Sequence, residues 1–538
     1  MKIQSKTLAS KKILVTAYDL EQSEHRGIAV YTKALIHCLR RAGAEVWLLT
    51  EFHEPLRPPG LRSLSNTNRE IIRSARVLNS LAHGLDLYER PPNLIERKLA
   101  LGRQAKLWKK QLSIAYELLQ RPRHYSQKNI YKFRIDQLFD SPYPRMERLS
   151  YFKDLEGIVC VPKLFFATQL AANLRTQKPV RLDLRDFDVL ITSCPLNLTP
   201  EHIPTFVQTV HDLIPLEFVA HNEDPLMFSN RLQACLSARR LFVSQSTATK
   251  FDRHINKLQK QGDNESRQTV IVQPPSLRFP TWLTSDPENI IDMKPVSYLL
   301  HNDDSDISKI DDLPPMDKPI RITSKGPLDA PIRNTSKGPL DAPIRKRSQV
   351  LLPFRYFLFN SSVEARKNLL FLAQAYTESG LSSLGIQLCV TGKLKGDDYS
   401  KAVETIVQNE SGILLTGYVD ESTKLDLYLN ALGLVSPSLV EGFGIPVLDG
   451  ACLGMPTIAS DCESHLEIQA IQDFKDSVIT LDTLKSRNWS AAMQAIAGIH
   501  SDLWKNATKE RKRRIGRYEK LRNHFYDQFQ ADLEEVLN

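Results

Sequence analysis

The sequence predicts an α/β protein with two doubly wound domains, and three observations carry that expectation. KILVTA (Lys12–Ala17), a helical stretch and EVWLLT (Glu45–Thr50) form a βαβ unit, for which a parallel sheet is the usual outcome. The same pattern restarts at YFLFNSS (Tyr356–Ser362), beyond a proline-bearing direct repeat. The chain has 538 residues, and single cores stop growing near roughly 250–300 residues, so two cores are expected.

Taken in order, the first strand is followed by a polar loop ending at Arg26-Gly27. IAVYTKALIHCLRRAGA comes next, with Tyr31, Ala34, Leu35, Cys38 and Leu39 at helical spacing. From about Phe52 to Val180 the text turns polar, basic and proline-punctuated, which reads as an insertion in the first domain. Strand signals return at FDVLITS (Phe187–Ser193), FVQTVHDLIP (Phe206–Pro215) and RLFVSQS (Arg240–Ser246), completing a domain over 1–280.

PIRITSKGPLDA (Pro319–Ala330) then repeats as PIRNTSKGPLDA (Pro331–Ala342). Two copies with two prolines each cannot stack into a solenoid or pack a core, so 281–350 is expected to be a disordered linker. The second Rossmann-like domain covers 351–510, with strands at IQLCVTG, ILLTGYV, LGLVSPS and PTIAS, and a helical tail covers 511–538. Two such domains suggest a cleft between their sheets.

Composition narrows the function classes. Hydrophobic residues at 42% and charged residues at 25% exclude fibrous and disulfide-rich classes. The seven cysteines are scattered without a CxxC pair, so neither a zinc site nor a disulfide framework is indicated and a reducing, cytoplasmic setting is expected. The N-terminus reads as a first strand, not as a signal peptide. The nearest apolar window, GIVCVPKLFFATQLAANL, is broken by Pro162, Lys163, Gln169 and Asn173, so no membrane span is expected.

The net charge of +9 is concentrated: Pro91–Ser150 holds 13 Lys/Arg against 5 Asp/Glu, or 13 − 5 = +8. Such a segment suits an anionic membrane surface, a nucleic acid or an acidic substrate, and equally a solvated helical insertion. It lacks regularly interleaved aromatics and any recognised nucleic-acid module, so no nucleic-acid partner is expected.

The chemistry concentrates in SLVEGFGIPVLDGACLGMPTIAS (Ser438–Ser460). A strand ends near Ser438, Glu441-Gly442-Phe443-Gly444 turns, and Ile445–Leu453 makes a short helix with Pro446 in its first turn. Free backbone N–H groups at a helix start, at the carboxyl end of a parallel strand, suit a phosphate. Carboxylates accept hydrogen bonds from sugar or ribose hydroxyls, so Glu441 and Asp449 are candidates for those roles. A helix-entry carboxylate and a surface aspartate are the plainer alternative.

This stretch resembles the E-x7-E signature of retaining glycosyltransferases of family 4, the group 1 and mannosyltransferase-like enzymes, which have the GT-B fold of two Rossmann-like domains facing across a cleft. Pro437, Ser438, Glu441, Gly442, Phe443, Gly444 and Pro446 match, while Asp449 replaces the second glutamate and is one methylene shorter. SSVEARKNLLFLAQAY (Ser361–Tyr376) resembles the G-T-x-E-x-R-K-N segment, which makes Arg366 and Lys367 candidates for the donor diphosphate. VQTVHDLIPLEF (Val207–Phe218) is similar to the V-x-T-V-H-D-L-I-P block and implies His211 near the donor sugar. RGIAVYTKAL resembles G-I-G-R-Y-T, implying that Gly27 opens the first helix toward the phosphates. Ala29 and Val30 depart from that pattern. TGYVDESTKLDLYLNA implies that Gly417 and Val419 border the nucleobase.

The resemblance implies retaining transfer of a sugar from a nucleotide diphosphate sugar to a glycan or lipid-linked acceptor, in polysaccharide, lipopolysaccharide or other glycan biosynthesis. It implies no metal and no cofactor beyond the donor itself. Glu441, His211 and Lys367 are the catalytic candidates, and Gly442, Phe443, Gly444 and Asp449 join the donor-binding set. The basic insertion adds the expectation of peripheral docking on an anionic inner membrane face. The rival expectation is a catalytically degenerate scaffold or partner subunit, supported by the departures at Ala29, Val30, Ser361-Ser362 and Asp449.

Overall fold

The structure is a computed structural model that describes residues 8–22, 25, 27–52, 65–84, 109, 112–135, 148–174, 178–218, 223–258, 268–280, 298–300, 320–322, 349–392, 394, 396–417, 419 and 421–538. Arg26, the basic stretches 91–108 and 136–147, and the repeat apart from 320–322 lie outside the described residues. The chain divides into two compact units, Met1–Pro274 with His524–Asn538, and Pro275–Asn523.

Unit 1 is organised by an eight-stranded sheet. Its strands are β1 (Lys12–Thr16), β2 (Glu45–Thr50), β4 (Tyr131–Arg134), β5 (Gly157–Cys160), β7 (Val189–Thr192), β9 (Thr205–Val210), β10 (Arg239–Phe242) and β11 (Gln268–Val270). They lie in the order β11-β10-β9-β7-β1-β2-β5-β4. Leu14 sits opposite Trp47 on one side and Leu190 on the other, in parallel register. The near-continuous apolar runs of these strands suit a sheet covered on both faces. A small side sheet pairs β6 (Val180–Asp183) with β3 (His124–Tyr125) and β8 (Leu198–Glu201).

Helix α1 (Gly27–Arg41) buries Tyr31, Ala34, Leu35, Cys38 and Leu39, the stripe that the spacing predicts. The last residues of the chain pack here too. The Phe529 ring meets Tyr31 edge-on at 5.6 Å, and Asp527 pairs with Arg41 at 2.7 Å.

The stretch Phe52–Val180, expected to interrupt the sheet, instead supplies two of its strands. β5 pairs parallel with β2, and β4 closes the edge antiparallel to β5. GIVC is only four residues long and runs on into VPKLFFATQLAANL, so it does not stand out as a strand of its own. Its glycine is required because a β-carbon at Gly157 would collide with the Trp47 ring and the Phe133 carbonyl.

Unit 2 opens with a three-stranded sheet, β12 (Tyr298–Leu300), β13 (Ile320–Ile322) and β14 (Gln349–Leu351), so the expected linker contains short strands. Its main sheet is wholly parallel and comprises β15 (Tyr356–Asn360), β16 (Gln387–Thr391), β17 (Ile413–Gly417), β18 (Gly433–Ser436), β19 (Thr457–Ser460) and β20 (Val478–Leu481). The order is β17-β16-β15-β18-β19-β20. Helices α2 (Leu369–Ser379), α3 (Glu421–Asn430), α4 (Ile445–Leu453), α5 (Glu463–Ala470), α6 (Ser486–Ile499) and α7 (Ala507–Leu537) flank the sheet together with a helix over Asp398–Asn409, α7 continuing into residues counted with unit 1.

The core joins Phe357, Phe359, Leu388 and Val390 of the strands to Leu372 and Tyr376 of α2 and to Trp489 and Met493 of α6. Arg514 of α7 is fully buried and donates to the carbonyls of Tyr428, Leu429 and Ala431 at 2.8–3.3 Å. It thereby neutralises the orphan carbonyls at the end of α3.

Candidate active site at the switch point of unit 2

In unit 2 the strands wind outward from β15 through β16 to β17, then return to β18 on its other flank and wind the opposite way. The loops after β15 and β18 therefore leave in opposite directions, and ligands of open α/β sheets bind in the crevice this creates at the carboxyl ends of the strands. The two strongest motifs of the sequence fall on these two loops: Ser361–Asn368 follows β15, and Pro437–Gly444 follows β18.

Lys367 and Glu441, 74 residues apart, form an ion pair, and Arg366 Nη1 reaches Glu441 Oε2 at 3.3 Å. Arg366 Nε also donates to Glu364 Oε2 at 3.0 Å. A backbone bond from Leu439 N to Arg366 O at 2.8 Å ties one loop to the other. Burial alone would raise the Glu441 carboxyl, but the charges of Lys367 and Arg366 with the Lys367 hydrogen bond outweigh it and hold it at about 2. Burial draws the Lys367 ammonium down, opposed by Glu441. The Glu441 carboxyl is ionised at neutral pH.

Behind Glu441, Gly442 and the buried Phe443 make the turn, and Gly444 begins α4 with φ +101°. A β-carbon on Gly444 would come within 2.8 Å of His465 Cδ2 and 3.0 Å of Nε2. His465 carries no motif in the sequence. It is fully buried, and its Nδ1 lies 3.0 Å from Ser460 Oγ and 3.2 Å from Ser460 O. Ser460 Oγ donates onward to Ser438 O at 2.5 Å, so the proton between His465 and Ser460 belongs to Nδ1. Nε2 is buried, faces the glycine turn and has no hydrogen-bond partner among the described residues.

Gly417 ends β17 with φ +70°, and Gly392 donates to its carbonyl at 2.9 Å. Val419 is half-buried just beyond. Asp449 is 1% exposed on α4, and its carboxylate accepts hydrogen bonds from Ser276 N at 2.7 Å, Ser276 Oγ at 2.5 Å and Tyr518 Oη at 2.6 Å.

Unit 1 has a switch point of its own between β1 and β7. His211 follows β9 beside it, and its Nε2 donates to Ser193 O at 2.8 Å. Burial holds the imidazole low, at about 4, so the ring is neutral at pH 7. Ser193 Oγ donates to Asp19 Oδ2 at 2.7 Å, and burial pushes the Asp19 carboxyl up to about 7 against that hydrogen bond. Glu21, receiving Thr50 Oγ at 2.5 Å and Glu51 N at 2.8 Å, is raised by burial and by Glu51. Gly27 stands exposed at the start of α1. Asp19 and Ser193 carry no motif, and Ser193 Oγ reaches Asp19 across 174 residues.

Among the described residues no group of three or more His, Cys, Asp or Glu is placed to hold a metal ion, and no helix is long and apolar enough to cross a membrane.

A parallel-sheet unit whose switch-point loops carry two cations, a carboxylate and a glycine turn at a helix start has the build of a nucleotide-binding α/β domain. Residues 343–520 match the family model for glycosyl transferases group 1. The O-antigen chain mannosyltransferase B of Escherichia coli is 28% identical over 167 residues, 29% of this chain and 44% of that protein. The match thus spans less than half the length of that relative. Similar solved structures include a sucrose-phosphate synthase from Thermosynechococcus elongatus (TM-score 0.46, 12% identity, 98% of each chain). They also include Anabaena HepE in complex with UDP (TM-score 0.44, 10% identity, 98% of this chain and 100% of that one).

Proposed function

We propose that the protein is a retaining glycosyltransferase of family 4, with the GT-B arrangement, that moves a sugar from a nucleotide diphosphate sugar to an acceptor hydroxyl. The observation that carries this reading is the Lys367–Glu441–Arg366 cluster on the two loops of the unit 2 switch point, within the family segment. The chemical demand is to stabilise charge on a departing diphosphate. Lys367, Arg366 and the backbone from Gly442 to Gly444 at the start of α4 supply it without a metal.

Glu441, held as a carboxylate, accepts the donor sugar's hydroxyls, and Phe443 backs the turn. Gly417 and Val419 border the base, Gly27 opens α1 toward the phosphates, and neutral His211 lies by the sugar ring. In front-face transfer the anomeric carbon–oxygen bond to the diphosphate breaks as the acceptor oxygen bonds on the same face, and a leaving phosphate oxygen takes the acceptor's proton.

The relative's name, an O-antigen chain mannosyltransferase, supports glycan assembly on a lipid-linked or oligosaccharide acceptor and makes a mannose donor the first to try. The +8 of residues 91–150 supports peripheral docking at an anionic, cytoplasmic membrane face. Salt-sensitive binding to anionic vesicles, lost when 91–150 is deleted, is the expected result.

The test is nucleotide release from UDP-, GDP- and ADP-sugars, with and without membrane lipid and with and without EDTA, for wild type and Glu441→Ala. Release from one donor that needs Glu441, survives chelation and gives the retained anomer is expected. No release from a folded protein across the panel and lipid acceptors moves the reading to a scaffold.

A further inference from the structure

Asp449 stands where the family resemblance places a ribose acceptor, yet its surroundings in unit 2 are those of a structural joint. Ser276 N and Tyr518 Oη both donate to Oδ1, and Ser276 Oγ donates to Oδ2. A carboxylate offers about four acceptor positions, so a ribose diol, which brings two donors, finds too few unless Ser276 lets go. Ser276 is held in place by its neighbours. Leu277 is 1% exposed, its N–H donates to Tyr518 Oη at 2.7 Å, and the Phe279 ring meets Tyr518 edge-on at 5.2 Å. Tyr518 is itself fully buried and uses its hydroxyl twice, receiving from Leu277 and donating to Asp449.

We propose that Asp449 is the anchor of a three-piece clasp, fastening the entry segment 275–279 and α7 to α4, and that it does not read the ribose of the nucleotide. Burial raises the carboxyl while its three donors lower it, as fits an anchoring group buried together with its partners. The shorter aspartate suits an anchor, because one methylene less keeps both oxygens back along α4, where Ser276 and Tyr518 meet them. In this chain, selection among nucleotides then falls to the base and the diphosphate, and a donor lacking a ribose hydroxyl remains acceptable at this position.

The statement about ribose rests on the transferase reading given above; the clasp does not. Both are tested on the full-length chain with Ser276→Ala, Tyr518→Phe, Asp449→Asn and the double variants. Thermal melting reads the clasp. Tyr518→Phe and Ser276→Ala are each expected to lower Tm by roughly 3–10 °C, and Asp449→Asn to lower it more and to cancel most of the effect of adding either of the other two. Calorimetry with UDP, GDP and ADP against their 2′- and 3′-deoxy forms reads the ribose, and wild type is expected to bind each pair within about twofold. A ribonucleotide preference of tenfold or more that Asp449→Asn or Tyr518→Phe abolishes overturns the proposal. So does a melting cycle in which the effects simply add. If Asp449→Asn does not fold, the Ser276→Ala and Tyr518→Phe cycle decides. If no nucleotide binds, the transferase reading fails and the melting cycle alone decides the clasp.

Discussion

The two units each wind a sheet outward from a switch point and treat charge there in opposite ways. At the switch point of unit 2 a buried carboxylate is kept ionised: Glu441 at about 2 faces Lys367 and Arg366. At the switch point of unit 1, buried groups are pushed toward neutrality, with His211 at about 4 and Asp19 at about 7. The difference lies in partners, since burial opposes charge at both sites. Two cations on a neighbouring loop overcome that penalty for Glu441, whereas a serine hydroxyl does not for Asp19. A site of fixed charges suits a charged diphosphate, and a site of near-neutral donors and acceptors suits an uncharged hydroxyl.

The largest effect that would break this contrast is on turnover. Glu441→Ala and Lys367→Ala are each expected to lower transfer roughly 100–1000-fold, measured as nucleotide release. Equal activity would mean that the charged cluster only holds the loops together. Stability separates the two roles. Glu441→Gln leaves the Lys367 ammonium buried beside a neutral amide, at a cost of about 3–5 kcal/mol, read by denaturant unfolding. The apolar pair Glu441→Leu with Lys367→Met should recover most of that stability and none of the activity.

A smaller loss, about 1–3 kcal/mol, is expected for Gly444→Ala, because its φ of +101° strains an alanine and the new methyl meets His465.

The pH response gives the finest test. Glu441, depressed to about 2, contributes stability that is complete above its ordinary value of 4.5 and is lost only as pH falls toward 2. Asp19, raised from 3.8 to about 7, contributes stability present below 3.8 and lost as pH rises through 7. His211, lowered from 6.5 to about 4, costs stability as pH falls from 6.5 toward 4, because the unfolded chain takes up the proton first. The last two oppose each other in unit 1. Asp19→Asn should therefore unmask a fall in Tm between pH 6.5 and 4 that the wild type conceals, and adding His211→Gln should flatten it.

Much of the architecture was legible because periodicity and run length are local. The stripe of α1, the strands β1 and β2, and α4 with Pro446 in its first turn all announce themselves within a few residues. β5 did not, since four residues whose fit depends on Gly157 lying against Trp47 carry no local signal. The site divides in the same way. The motifs named Glu441, Arg366 and Lys367, but not that they pair, which needs β15 and β18 side by side. Asp19 with Ser193 and Asp449 with Ser276 were hidden for the same reason, because the two pairs are assembled across 174 and 173 residues.

The final fifteen residues belong to unit 1, and this sets an order of events during synthesis. Tyr31 waits for Phe529, Arg41 for Asp527, and Arg239 for the carbonyl of Val536. Between Pro274 and His524 the ribosome adds all 249 residues of unit 2 (523 − 274), which at roughly 5–20 residues per second takes about 12–50 s. Throughout that interval the nascent first unit carries an uncovered apolar face at Tyr31, and cutting the gene at Pro274 would make that state permanent.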